Sequence, residues 1–102
     1  MSFFLTKEDK ILINEVAPRP HNSGHWTMDA CNISQFEALV RVIFDMPIPH
    51  IKYYHKRKMI NILGENYNVI EKSLYKKNQK IYVYGKDQIK EGRKLGHINI
   101  LS

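Results

Sequence analysis

Two prolines one residue apart set the first boundary condition on this chain. Pro18 and Pro20 bracket Arg19 in the run Asn14-Glu15-Val16-Ala17-Pro18-Arg19-Pro20-His21-Asn22-Ser23-Gly24-His25. Their rings fix φ on either side of Arg19. Each also pushes the residue before it out of the helical region, so Ala17 and Arg19 are expected to be extended. Apart from the prolines only Val16 and Ala17 are apolar, so the run cannot be mainly a core element. It reads as a stiff, polar exit from a strand. A stiff loop with many hydrogen-bonding groups is suited to holding a small polar ligand. The plain alternative is a polar surface loop, and composition alone does not separate the two.

At 102 residues the chain is one domain or part of a larger one. Its single cysteine, Cys31, excludes an internal disulfide and offers no zinc set. No apolar run is long enough for a membrane helix, and no charged-then-apolar leader opens the sequence. The expectation is a soluble cytoplasmic protein. The net charge of +6 is unevenly spread. Residues 1–51 hold four Lys/Arg against six Asp/Glu, and residues 52–102 hold twelve against four. The second half should therefore attract anions: a phosphorylated metabolite, a nucleic acid or an acidic partner. A lysine-rich solvated surface would look the same.

Along the chain, Ser2–Thr6 and Lys10–Val16 are β-like runs separated by Lys7-Glu8-Asp9, which predicts a hairpin delivering Asn14 and Glu15 at its end. Gly24–Cys31 suits a short helix with Trp26, Ala30 and Cys31 turned inward. Ser34 and Glu37 form a capping-box pattern. Phe36, Leu39, Val40, Ile43 and Phe44 then recur with the spacing of one buried helical face, and Pro47 and Pro49 end the helix. Residues 50–58 are basic and aromatic and read as a linker, where the composition shifts. Strands are expected over Met59–Leu63, Lys80–Tyr84 and within Lys94–Leu101, with a short helix over Val69–Tyr75. The fold class is α+β: a hairpin plus helices over 1–49, followed by a small mostly-β domain over 50–102.

Several residues could carry chemistry. Glu15, at a strand end beside Asn14, could ligate Mg²⁺, which takes one or two carboxylates with phosphates and water. Arg19 could bind a carboxylate, bicarbonate or phosphate through two bonds. His21, Asn22 and Ser23 could meet the polar edge of a substrate, and Gly24 would let the backbone approach closely. His21 and His25 have a spacing that zinc proteins use, but no Cys or acidic residue is positioned to complete a set. Near the end, Lys86, Arg93 and Lys94 among three glycines could cradle a phosphate, although a basic hairpin loop would read alike.

Together these pieces are more specific than apart. N-E-V-A-P-R-P-H-N-S-G-H-W-T, S-Q-F-E, N-I-L-G, Y-G-K and G-R-K-L-G-H-I-N, in this order, resemble the C-terminal third of the PurK-type carboxyaminoimidazole ribonucleotide synthetases, an ATP-grasp family. The resemblance implies the end of an ATP-grasp domain followed by a small β-rich C-terminal domain. It implies an enzyme that uses ATP and Mg²⁺ to activate bicarbonate as carboxyphosphate and carboxylates aminoimidazole ribonucleotide in purine biosynthesis. On this resemblance Glu15 is a metal-ligating carboxylate, with Asn14 beside it at the ATP phosphates. Arg19, His21 and Asn22 sit at the reacting junction, and His21, Asn22 and Ser23 contact substrate. Lys86, Arg93 and Lys94 bind the ribonucleotide phosphate.

The sequence also departs from the family. The N-terminal domain and nearly all of the ATP-grasp domain have no counterpart in it, and Ser2 stands where the family's other metal-binding glutamate falls. The expectation is a fragment, inactive alone, that dimerises or associates with the missing domains through an exposed first strand. The alternatives are a phosphate- or ribonucleotide-binding module, a split-enzyme subunit and, least supported, a basic nucleic-acid-binding domain, for which no known motif is present.

Overall fold

The structure is a computed structural model that describes residues 1–54 and 56–102. His55, inside the expected linker, lies outside the described residues. The fold is α+β and holds two antiparallel sheets with three short helices.

The expected hairpin is present. Strand β1 (Ser2–Leu5) pairs with β2 (Ile11–Glu15), with Leu5 opposite Ile11 and Ser2 opposite Glu15. Thr6 closes the turn: its amide donates to Lys10 O, and its hydroxyl accepts from the amides of Glu8 and Lys10. Asp9 takes the left-handed conformation there (φ 58°), which a short polar side chain tolerates better than a β-branched one. A 3₁₀ turn over Asn22–Gly24 then leads into α1 (Thr27–Ala30).

Helix α2 (Gln35–Ile43) begins where the capping pattern puts it: Ser34 Oγ accepts the Glu37 amide at 3.1 Å. Only that half of the capping box forms, because the Glu37 carboxylate turns instead to Arg41 one turn on, at 2.9 and 3.0 Å. The expected buried face requires correction. No residue of α2 is buried; Ile43 is 66% and Phe44 71% exposed. Apolar periodicity reports which face of a helix favours burial, and burial needs a second surface; among the described residues the cover over α2 leaves none of its residues buried. The helix ends at Phe44, before the prolines, with Asp45 in the left-handed conformation (φ 50°) and the Met46 amide on Arg41 O at 2.8 Å.

The expected linker is partly tied down. The Asn32 side chain accepts the Lys52 amide and donates to His50 O, while the Asn32 amide donates to Lys52 O. The Tyr54 amide donates to Ala30 O, so residues 30–32 and 50–54 run side by side.

The C-terminal sheet has the order β3-β5-β4, from β3 (Arg57–Leu63), β4 (Gln79–Val83) and β5 (Lys94–Leu101), with α3 (Val69–Leu74) against β4. Strand β5 is central, and Leu95 through Asn99 are all buried. Register puts Ile60, Ile98 and Ile81 abreast on one face, where Ile98 and Ile62 are buried and Ile60, toward the edge, is exposed. The opposite face carries Asn61, His97 and Tyr82 abreast, then Met59, Asn99 and Lys80. Helix α1 covers this polar face and supplies Asp29 to it.

Candidate functional site

The proline-bracketed loop is held by its own side chains and by one from α2. Asn14 and Glu15 stand at the end of β2, as the hairpin requires, and Asn14 Nδ2 donates to Ser2 Oγ at 3.0 Å. Glu15 Oε1 lies 2.8 Å from His21 Nε2. His21 Nδ1 accepts the Ser23 amide at 3.2 Å and lies 2.8 Å from Ser23 Oγ. A backbone amide can only donate, so Nδ1 is the unprotonated nitrogen, and the proton on Nε2 points at the carboxylate. The small cleft between Glu15, His21 and Ser23 is also lined by Ser2 and Ala17. Arg19 is exposed, and its guanidinium donates to Pro20 O at 3.1 Å.

Gln35 enters the sequence analysis only within S-Q-F-E and was given no role there. Its Oε1 accepts the His21 amide at 2.9 Å, and its Nε2 donates to His21 O at 2.8 Å. The same Nε2 lies 2.7 Å from His25 Nδ1. Thr27 Oγ1 bridges from Gly24 O (2.6 Å) to the Gln35 amide (3.0 Å). A Cβ on Gly24 would fall 2.5 Å from Gln35 Oε1, so glycine is what lets the carboxamide lie against the loop. The available signal was a glutamine in the first turn of a helix preceded by a good cap, which is common enough to pass unnoticed.

His25 joins the loop to the C-terminal sheet. Its ring stacks on Phe36 at 5.3 Å and lies 5.1 Å from His97 and 6.1 Å from Tyr84, centroid to centroid. Burial lowers its pKa, and the charges of His21 and Lys94 act in the same direction. His97 is 1% exposed; its Nδ1 lies 2.7 Å from Tyr84 Oη, and its ring stacks on Tyr82 at 4.7 Å. Burial, with the neighbouring His25, takes His97 down to about 4. Burial pushes the Tyr84 hydroxyl up, with a side-chain contact to Asn22 acting the other way.

Asp29 anchors the same layer. Its carboxylate accepts from Tyr82 Oη (2.8 and 2.9 Å) and Asn99 Nδ2 (2.6 Å), and Lys80 Nζ stands 3.3 Å away. Burial, followed by this carboxylate, raises Tyr82 to about 12.

Lys86 and Arg93 lie in the connection between β4 and β5, and Lys94 opens β5. Lys86, Arg93 and Lys94 are exposed, and among the described residues none makes a side-chain hydrogen bond or ion pair. Gly92, in the left-handed conformation (φ 71°), gives its amide to the Glu65 carboxylate at 2.8 Å, which pins that end of the connection. Lys94 is near enough to act on His25. Among the described residues, no group of three or more His, Cys, Asp or Glu is placed to hold a metal. No described helix is long and apolar enough to cross a membrane.

Comparison with known proteins matches this geometry in two pieces. Residues 1–36 match the ATP-grasp domain family, and residues 57–102 match the phosphoribosylaminoimidazole carboxylase C-terminal domain family. The first of these matches places residues 1–36 with the ATP-grasp class. N5-carboxyaminoimidazole ribonucleotide synthase of Bacillus subtilis is 42% identical over 102 residues, covering 99% of this chain and 27% of that protein. Two solved structures of the Aspergillus clavatus protein, each 38% identical over 98% of this chain, superpose with TM-scores of 0.88 and 0.86. The first is the carboxyaminoimidazole ribonucleotide synthase complexed with ATP, and this chain covers 28% of it. The second is in complex with ADP and 5-aminoimidazole ribonucleotide, and this chain covers 29% of it. The two family models and these relatives all match the chain to the C-terminal part of PurK-type ATP-grasp proteins, and it spans about a quarter of the length of the relatives it matches.

Proposed function

We propose that this chain forms one side of the active site of an ATP-dependent synthase that carboxylates aminoimidazole ribonucleotide with bicarbonate. The observation that carries the reading is a juxtaposition. The loop bearing Glu15, His21 and Ser23 is joined through His25 to the buried layer of the sheet that bears Lys86 and Arg93 in its β4–β5 connection and Lys94 at the start of β5. A carboxylate end for a metal-bound nucleotide and a cationic end for a sugar phosphate thus belong to one folded unit. The relatives support the ligands: the Aspergillus clavatus protein is seen in complex with ATP, and with ADP and 5-aminoimidazole ribonucleotide.

In this reading residues 1–49 close an ATP-grasp domain and residues 50–102 form the small C-terminal domain. Glu15 and Asn14 suit part of a Mg²⁺ set, since both offer hard oxygen donors and Glu15 is half exposed. When bound, Mg²⁺-ATP supplies the phosphoryl group that activates bicarbonate. Arg19 would hold the bicarbonate-derived anion through its guanidinium fork. His21, with its Nε2 proton facing Glu15, could take a proton at Nδ1 only on release of the Ser23 amide that Nδ1 accepts. Asn22 and Ser23 would orient the ribonucleotide with His21, and Lys86, Arg93 and Lys94 would neutralise its phosphate. The remaining groups would come from a second chain or from upstream domains, in a cytoplasmic setting.

The test is a chimera in which this chain replaces the C-terminal quarter of the Bacillus subtilis relative. Bicarbonate- and ribonucleotide-dependent ATP hydrolysis is the expected result, with Glu15→Gln lowering it about 100-fold or more. A folded chimera without that activity would remove the reading. A Lys86→Ala chimera should raise KM for the ribonucleotide while leaving kcat within a few-fold.

A further inference from the structure

His21 caps the 3₁₀ turn, its C=O accepting the Gly24 amide at 2.9 Å, and one side chain also engages both of its backbone groups. Gln35 Oε1 takes the N–H and Gln35 Nε2 gives to the C=O, the two-bond pattern that a neighbouring strand would offer. These two bonds also settle the orientation of the carboxamide. The oxygen must face the His21 amide, so the NH₂ group must face the His21 carbonyl. Its second proton then points at His25 Nδ1, 2.7 Å away. That nitrogen must be unprotonated, and a neutral His25 carries its hydrogen on Nε2. A proton on His25 Nδ1 would set donor against donor and push the carboxamide off the loop.

We propose that Gln35 is a positioning residue for His21. It clamps the His21 backbone, and it locks His25 as the neutral Nε2–H tautomer, so that the His21 ring stays aimed between Glu15 and Ser23. This deepens the function proposed above and rests on it only for its catalytic consequence; the clamp itself is a property of this chain. Gly24 belongs to the same device, because a Cβ there meets the Gln35 carboxamide at 2.5 to 3.3 Å. Phe36 stacked on His25 keeps the ring from turning away when the hydrogen bond is weakened.

The clamp is tested by long-range ¹H–¹⁵N spectra of the histidine rings in this chain. Wild type should show His21 and His25 both as Nε2–H tautomers. Gln35→Glu keeps the side-chain shape and an acceptor for the His21 amide but removes the donor to His25. It should move His25 to the Nδ1–H tautomer or to imidazolium and leave the His21 carbonyl to the Gly24 amide alone. Gly24→Ala, with Gln35 intact, should disturb the same two rings, and Gln35→Met should abolish the His21 amide's protection from exchange. His25 and His21 ring signals unchanged in both Gln35→Glu and Gly24→Ala would overturn the proposal. The functional arm uses the chimera, where Gln35→Glu should lower kcat about tenfold or more with a smaller change in KM. An active chimera whose kcat ignores Gln35→Glu would overturn the positioning role. A chimera inactive with wild-type Gln35 would count against the proposed function, while the ring spectra still decide the clamp.

Discussion

The hairpin with α2 and the C-terminal sheet with α1 use apolar and polar residues in opposite ways. In the first region the apolar residues are outside: Leu5, Ile11, Ile13, Ile43 and Phe44 are each 66% exposed or more. In the second, polar residues are inside: His97, Asn99 and the Asp29 carboxylate are each 3% exposed or less. A strand pair or a lone helix can satisfy its backbone locally, but its apolar side chains gain only when a second layer covers them. The sheet around β5 has its second layer on both faces. On its polar face each donor to Asp29 relieves the cost of burying a carboxylate. The difference teaches that the polar layer is a structural element of this chain, while the apolar residues of the hairpin and α2 have no covering layer among the described residues.

The comparison can be broken most directly at Asp29. Asp29→Ala leaves the Tyr82 hydroxyl and the Asn99 carboxamide facing a buried void, and we expect a loss of about 3 kcal/mol or more in urea unfolding. A loss under about 1 kcal/mol would mean the layer is held by its apolar neighbours. Next in size is a matched pair of isoleucines. Ile98→Ala, in the core of β5, should cost about 2–5 kcal/mol. Ile43→Ala, on the open face of α2, should stay within about 0.5 kcal/mol. Equal costs would show that α2 is packed in solution.

Titration sharpens the same contrast. The folded pKa of His97 is about 4, below the ordinary histidine value of 6.5, so the unfolded chain binds more protons between those values. His97 therefore makes no pH-dependent contribution above about pH 7, and stability should fall as pH drops from 6.5 toward 4. The loss attributable to His97 is on the order of 2–3 kcal/mol. His25, also lowered, adds to the fall in the upper part of that window. A His97→Gln chain whose urea midpoint falls as steeply between pH 7 and 4.5 as wild type would refute this assignment. The smallest effect on folding is expected at the hairpin. Leu5→Lys with Ile13→Lys should change stability by under about 0.5 kcal/mol but shift sedimentation at tens of micromolar from associated species toward monomer. A wild-type chain that already sediments as a monomer would mean the open apolar surface is not adhesive.

Much of the architecture was legible because it is local. The Lys7-Glu8-Asp9 break, the Ser34 cap and the alternation in Lys80–Tyr84 each act over a few residues, and the corresponding turn, helix and strand are present. What failed was the step from pattern to environment. The spacing from Phe36 to Phe44 was read as burial and is exposed, since periodicity carries no information about the covering layer. The linker reading of 50–58 missed the pairing with residues 30–32, which depends on where α1 ends.

The candidate site divides along the same line. Asn14, Glu15, Arg19 and the run His21–Ser23 stood out because so many polar groups crowd a proline-stiffened segment, and the Glu15–His21–Ser23 bonds close within nine residues. Gln35, Asp29, Tyr82, Tyr84, His97 and Asn99 did not stand out. In the sequence they are ordinary polar residues, scattered over 71 positions. Strand register sets His97 beside Tyr82, and the path of α1 drops Asp29 onto Asn99 at 2.6 Å. The sequence by itself determined the turns, caps, strand alternation and loop stiffness, all consequences of local sterics and hydrogen bonding. Only the tertiary structure decided which polar residues are buried together, because that depends on long-range pairing that no short window contains.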